Sequence, residues 1–314
     1  MSLVTTFNPF GPDSGWKAYP SNLTDEIVRI YYGNNMYFAQ TESKIYYSLD
    51  GLSWSQCTVP SDTYTGGTLL WCDDKYVHVG KISGNNDLFD YGIYSYDGIT
   101  WMKFEFPEMN YFHTFSSGNG IYIATIDMSD GNVFTTNDYF YSTNGINWTK
   151  YELPEQHQTS LITFKDGVFL VVALKQTIVS EYVYFLVSSD GINWSNKLTF
   201  DYYNLDLYDI IITNDKFYVF SDKGYYTSTD GNTWITYSYN GYNGDFFSGG
   251  RWLLHKKDGD YYWNNYTTFR LIYEYGEGKP IYIKNGYKFV RPIYNPDINK
   301  YFTIAINEPV VAFY

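Results

Sequence analysis

Short apolar and aromatic runs, each broken by a polar turn, recur from one end of this chain to the other, and none keeps helical spacing beyond two turns. Some alternate apolar with polar positions, the period of a strand with one covered face. Others are nearly continuous: "KYVHVG", "GIYIATI", "GVFLVVA" and "KFYVFS" leave little for water. A short continuous run rich in β-branched and aromatic residues predicts a strand packed on both faces. Tyr, Phe, Trp, Ile, Val and Thr, which suit a pleated sheet, dominate throughout. The chain is predicted to be all-β.

The runs come in fours. "TLLWCD", "HTFSSG", "LITFKDG" and "DIIITND" precede the continuous runs by a tight turn. A third run, such as "KIYYS", "GIYSY", "YFYST", "YFLVSS" or "GYYTS", leads into a turn that ends in Trp. A fourth leaves from that Trp, as in "WSQCTVP", "WMKFEFP" and "WTKYELP". The Asp or Asn of the turn falls at Asp50, Asp97, Asn144, Asp190 and Asp230, at intervals of 47, 47, 46 and 40 residues. A period of about 40–50 residues with four strands and no helix is the signature of a propeller blade.

Two further units are degenerate. Asn265 and Phe269 take the Asp and Trp places of a sixth, after "GDFFSGG" and "RWLLHKK". A seventh keeps only "YKFVRPIY", "KYFTIAI" and "PVVAFY" near the C-terminus. Its outer strand is expected from "WKAYP" at Trp16–Pro20, so that the N-terminal strand closes the C-terminal blade and leaves no open edge. The expectation is a single β-propeller domain over 1–314, with seven four-stranded antiparallel blades. The irregular stretch 257–288 keeps six blades as the alternative.

Charge narrows the partners. The net charge is −13, with only four Arg (Arg29, Arg251, Arg270, Arg291) and no basic cluster. A phosphate backbone or an anionic membrane surface needs a basic stripe, so neither is an expected partner. The start, "MSLVTTFNPFGPDSGW", has no basic or apolar region of a secretory signal, and no apolar run is long enough for membrane insertion. Two cysteines, Cys57 and Cys72, lack zinc spacing and are too few for a disulfide framework; a single bridge or two free buried thiols remain open. No cofactor is implied.

The repeated turn, S-x-D-G-x-x-W, reads Ser48/Asp50/Gly51/Trp54, Ser95/Asp97/Gly98/Trp101, Ser142/Asn144/Gly145/Trp148, Ser188/Asp190/Gly191/Trp194 and Ser228/Asp230/Gly231/Trp234. It resembles the Asp-box, or BNR repeat, of sialidase-like propellers, in a shortened variant with one residue fewer between Asp and Gly. Similar repeats occur in bacterial and phage-encoded surface proteins. The chemistry is that of a turn: a short carboxylate accepts backbone N–H groups, Gly takes a positive φ, and Trp plugs the gap between sheets. Asn144 fits this reading, because an amide oxygen caps a turn but cannot replace a catalytic carboxylate. The resemblance implies that these turns join third and fourth strands, on the face away from any active site.

Binding is then expected on the opposite face, in the dissimilar loops from fourth to first and from second to third strands. Residues just before the first strands are the candidates: Asp25, Tyr64, Tyr111, His113, His157, Asp206, Tyr242 and Asp245. Aromatic faces beside carboxylates suit sugars, which stack through C–H patches and bond through hydroxyls. The expected partner is a glycan or a cell-surface protein. In style the low-charge, Tyr/Asn/Gly-rich repeats look like phage or prophage virion proteins such as tail components.

Enzymatic readings fare less well. A sialidase binds its substrate carboxylate with three Arg, yet only Arg29 and Arg291 fall on expected first strands, and "VRIYYG" lacks the family's Pro after Arg-Ile. A glycoside hydrolase or lyase needs as few as two carboxylates, and 34 acidic residues single none out. The four His (His78, His113, His157, His255) have no ligand spacing. "DMSDGNVFTTND" has a carboxylate at each end, but its Gly falls early and the terminal Glu of a calcium loop is missing. A structural scaffold within a larger assembly is the remaining alternative.

Overall fold

Hairpins set the pattern. Asn34 (φ 48°) and Asn35 (φ 60°), Asn119 (φ 53°) and Gly120 (φ 72°), and Asp166 (φ 49°) and Gly167 (φ 85°) fill two-residue turns in the left-handed region. Asn, Asp and Gly tolerate that conformation, and its twist matches the strands on either side. Each turn joins a first to a second strand. The computed structural model describes residues 17–79, 89–110, 112–126, 137–154, 158–176, 181–201, 207–212, 216–221, 224–238, 252–257, 260–265, 269–270, 280–281, 293–295, 300–304 and 310–313. Its named elements are all β-strands.

Two units divide the chain: Met1–Gly66 with Gly98–Thr100 and Phe247–Tyr314, and Gly67–Asp97 with Trp101–Phe246. In the first, β1 is Lys17–Pro20, and β2 (Arg29–Gly33), β3 (Met36–Gln40), β4 (Ile45–Ser48) and β5 (Ser55–Gln56) form an antiparallel sheet in chain order.

The second unit holds four sheets of the same build. They are β6 (Thr68–Cys72) to β9 (Met102–Asn110) through β7 (Lys75–Val79) and β8 (Phe89–Ser95), and β10 (Phe112–Gly118) to β13 (Thr149–Glu152) through β11 (Ile121–Ile126) and β12 (Asp138–Ser142). Next come β14 (Gln158–Lys165), β15 (Val168–Gln176), β16 (Glu181–Ser188) and β17 (Ser195–Asp201), then β18 (Leu207–Ile212), β19 (Phe217–Ser221), β20 (Gly224–Ser228) and β21 (Ile235–Ser238). First strands of successive sheets pack side by side: β6 on β10, β10 on β14, β14 on β18.

The first unit also contains β22 (Trp252–Lys257) paired with β23 (Asp260–Asn265), and β24 (Phe269–Arg270) paired with β25 (Pro280–Ile281). Its last sheet runs β26 (Ile293–Asn295), β27 (Lys300–Ile304), β28 (Val310–Phe313) and then β1. Lys17 faces Phe313 and Pro20 faces Val310, so the N-terminal strand is the outer strand of the C-terminal sheet. Phe269, in the Trp place of the sixth unit, pairs with Ile281.

The core lies on the second and third strands. Every residue of β7 is buried, as are five of the six in β11. Phe38, Phe140, Phe169 and Phe185 are fully enclosed, each contributing about 2 kcal/mol of apolar burial. Between sheets, Trp148 sits among Phe104, Phe106 and Phe115 with ring centroids 5.9, 4.9 and 6.1 Å away. Neighbouring sheets therefore hold together through aromatic faces, as the continuous second-strand runs require.

Candidate functional site

At the end of each sheet where β4, β8, β12, β16 and β20 finish, the repeated turn bonds a side-chain oxygen to its own residues. Asp50 Oδ1 accepts Ser48 Oγ at 2.9 Å and the Leu52 and Ser53 amides at 2.8 Å each. Asp190 and Asp230 do the same with Ser188, Ile192 and Asn193, and with Ser228, Asn232 and Thr233. Asn144 Oδ1 copies the arrangement, accepting Ser142 Oγ at 3.1 Å and the Ile146 and Asn147 amides at 3.0 and 2.8 Å. In the Asp97 turn, Ser95 Oγ donates to Asp97 Oδ1 at 2.9 Å. The five glycines have φ between 68° and 74°. Bonds from Asn193 hold the Asp190 carboxyl below its ordinary value, and the Thr233 amide does so for Asp230. At Asp50 desolvation pushes upward and is outweighed by the Ser53 and Leu52 amides.

These turns also grip the preceding sheet. Tyr139 Oη donates to the Gly191 carbonyl at 2.8 Å and accepts the Trp194 indole N–H at 3.1 Å. Cys57 Sγ donates to the Gly98 carbonyl at 3.3 Å, and the Thr58 amide to Ile99 at 2.9 Å. Asn22 holds both the amide and the carbonyl of Trp54. Their chemistry is taken up by the fold.

The Trp residues of the repeat pack to different depths. Trp54, Trp101 and Trp148 are buried, but Trp194 and Trp234 are only half-buried. Both direct the indole N–H at an oxygen, and that bond holds the ring near the turn. Trp234 Nε1 donates to the Gly231 carbonyl of its own turn at 2.9 Å, while its ring meets Phe185 edge to face at 4.5 Å. Trp234 therefore still packs between sheets, with part of the indole left in water.

The other end differs. Lys44 precedes β4 and the Asp50 turn follows it, so the two lie at opposite ends of one strand. Asp25, from the segment between β1 and β2, accepts Lys44 Nζ and Tyr46 Oη on Oδ2, both at 2.7 Å. The Lys44 bond, then the Tyr46 bond, lower the Asp25 carboxyl, and the same Asp25 bond raises Lys44. The Thr41–Lys44 loop is fastened to the segment before β6 through Thr65, whose Oγ1 donates to the carbonyls of Thr41 (2.9 Å) and Lys44 (3.1 Å). The Thr65 amide donates to Glu42, and Gln40 Nε2 to the Thr65 carbonyl at 2.6 Å. Tyr64 is half-buried on that fastened segment, its ring over Gly66.

Of the eight expected binding residues, the structure brings Asp25 and Tyr64 onto neighbouring segments. Tyr111, His157, Asp206, Tyr242 and Asp245 lie outside the described residues, and His113 is placed on β10 without a described side chain. Sequence reasoning missed Lys44, Tyr46 and Thr65. The only signal was their position at the second-to-third loop, which names a face and not a residue.

Other candidates resolve into structural roles. His78 is buried and its Nε2 accepts the Gly67 amide at 2.9 Å. Cys57 and Cys72 are free and buried, and desolvation pushes the Cys72 thiol up to about 12. In the "DMSDGNVFTTND" loop, Asp138 is salt-bridged to Lys150 at 2.7 Å, and 127–136 lie outside the described residues. Among the described residues no group of three His, Cys, Asp or Glu could hold a metal, and no helix is long and apolar enough to cross a membrane. Arg29 begins β2, Arg270 ends β24, and Arg251 and Arg291 lie outside the described residues.

No protein-family model and no curated protein matches the chain. Solved structures do. A catalytically inactive variant of virginiamycin B lyase from Staphylococcus aureus, crystallised with quinupristin, aligns at a TM-score of 0.66 and 11% identity over 95% of this chain and 98% of its own. The Cps50 (Swd1) β-propeller domain of Myceliophteria thermophila aligns at 0.62 and 10% over 95% and 99%. The Pan2 WD40 domain of Neurospora crassa aligns at 0.61 and 9% over 95% and 94%. At such identity the likeness is one of fold, and with the four-stranded antiparallel sheets it makes this chain a β-propeller.

Proposed function

We propose that this propeller is a non-catalytic recognition module, of the kind carried on phage particles or cell surfaces, binding a glycan or a cell-surface protein through the loops opposite the Asp-box turns. One observation supports it most. The repeated turns use one carboxylate or amide oxygen in the same bonds to their own backbone from copy to copy, whereas the part-exposed Asp25–Lys44 pair joins loops that differ between repeats. A rigid scaffold below and dissimilar loops above is how recognition surfaces are commonly built. The Asp-box assignment itself rests on this chain's own five turns.

A second reading is a polysaccharide hydrolase or lyase, favoured by the lyases among the fold neighbours. One experiment separates the two. The full chain is applied to a printed array of glycans and cell-wall polysaccharides and to a panel of cell-surface proteins, with turnover of each polysaccharide assayed in parallel. Binding without turnover is expected. Turnover abolished by Asp206→Asn or Asp245→Asn would establish the enzyme instead, and binding to neither probe set would leave the scaffold alternative.

A further inference from the structure

We infer that the Asn119–Gly120 turn between β10 and β11 is a site of self-modification, where asparagine converts to iso-aspartate and aspartate through a cyclic imide, and that the Asn144–Gly145 pair at the same end of that sheet is protected by its own turn.

Asparagine followed by glycine is the pair most open to this reaction, because glycine has no side chain to shield its nitrogen. The Gly120 nitrogen loses its proton and bonds to Asn119 Cγ, while the side-chain nitrogen takes up a proton and leaves as ammonia. Water then opens the five-membered imide. Opening at the backbone carbonyl gives iso-aspartate, with the chain rerouted through the former side chain; opening at the other carbonyl gives aspartate. Water is the only co-reactant.

The two pairs differ in what holds them. Asn119 (φ 53°) and Gly120 (φ 72°) fill a two-residue turn across which Gly118 faces Ile121. Asn119 is exposed, and neither its side chain nor the Gly120 nitrogen is hydrogen-bonded among the described residues. A Cβ on Gly120 would meet nothing within 4 Å. Attack needs Asn119 to leave its left-handed conformation, and at an exposed tip without such bonds that opening is local. At Asn144 both reacting groups are engaged. The Gly145 N–H donates to Ser142 Oγ at 2.8 Å, and Asn144 Oδ1 accepts the Ile146 and Asn147 amides at 3.0 and 2.8 Å. A Cβ on Gly145 would lie 2.8 Å from the Tyr122 ring, so the glycine is crowded as well. Bringing nitrogen and Cγ together there breaks these bonds at once.

The products differ in fit. Aspartate suits the turn, since Asp166 (φ 49°) and Gly167 (φ 85°) fill the equivalent turn of the next sheet. Iso-aspartate lengthens the backbone between the paired Gly118 and Ile121 and loosens the tip. Either product adds a negative charge beside that next turn, because Asn119 Nδ2 lies 3.7 Å from where a Cβ on Gly167 would stand. Tyr122 faces Ser142, so the change falls at the end that carries the repeated turns.

The test ages the full chain in mildly alkaline buffer, folded and in urea, and follows each Asn-Gly site by peptide mapping with iso-aspartate detection. Mapping separates Asn240–Gly241, Asn243–Gly244 and Asn285–Gly286, which lie outside the described residues. In the folded chain Asn119 is expected to convert at least about tenfold faster than Asn144, and in urea the two rates converge. Ser142→Ala frees the Gly145 nitrogen and should speed conversion at Asn144 alone. Equal rates in the folded chain, faster conversion at Asn144, or an Asn119 that converts only in urea would each overturn the proposal. An Asn144 rate unmoved in a folded Ser142→Ala variant would overturn the protection assigned to its turn; if melting curves show that variant unfolded, the comparison within the unmodified sequence decides.

Discussion

Tyr139 carries two bonds at once, giving its hydrogen to the Gly191 carbonyl and receiving the Trp194 indole N–H. It stands three residues before the Ser142 of its own turn. The corresponding residue of the preceding sheet is Gly92, where a Cβ would come 2.2 Å from the Phe104 ring, and the Trp148 indole nitrogen has no hydrogen-bond partner among the described residues. In the following sheet it is Phe185, and Trp234 turns its N–H back to Gly231 instead. One position thus decides how the next turn's Trp is anchored. Tyr139→Phe keeps the ring and orphans a buried donor and acceptor. It should cost about 1–3 kcal/mol, read from urea unfolding, against little change for Tyr141→Phe on the same strand. Acid acts at the same scale. The turn carboxylates of Asp50, Asp190 and Asp230 are held below the ordinary 3.8, so their stabilisation is complete above that value and is lost as pH falls through the lower folded values. The melting temperature should be level near neutrality and drop below about pH 4. Asp50→Asn with Asp230→Asn should shrink the drop, because Asn144 already makes the same bonds without a charge.

Among elements, the repeated turn was the part most legible in the sequence, because its geometry admits few residues. Gly191 has φ 70°, and a Cβ would lie 2.9 Å from Ile123 Cδ1 of the preceding sheet. Gly191→Ala meets both a backbone penalty of about 1–2 kcal/mol and that contact, and should lower the melting temperature clearly. Gly120→Ala, also at positive φ but in open space, should lose only the backbone part. Strand order was legible for the same reason, since each turn marks where a third strand ends. The Lys17–Pro20 strand was placed from its closing Pro and preceding Trp, and it pairs with β28 as that pattern implies. The depth of each Trp was not legible, because Trp234 and Trp148 share one motif and differ in the partner that another sheet presents.

For the whole molecule, the sequence pointed to an end and not to a site. Asp25 and Lys44 are nineteen residues apart on loops with no periodicity, and Tyr46 bonds the same Asp25 oxygen that Lys44 does. Pairing of that kind leaves no trace in apolar patterning, whereas the turns, built from neighbours two and three residues apart, do. The separation of scaffold from recognition can be measured by mutating each end separately. Leu49 and Tyr96, 71% and 54% exposed, sit inside two of the repeated turns and make no bond of the kind the Asp residues make. Binding of the full chain to its array target should be unchanged by Leu49→Lys and Tyr96→Lys, and reduced about tenfold or more by charge introduced at the loops, as Tyr64→Lys or Lys44→Glu. Loss of binding from the turn variants, with the loop variants still binding normally, would contradict the assignment of recognition to the loops.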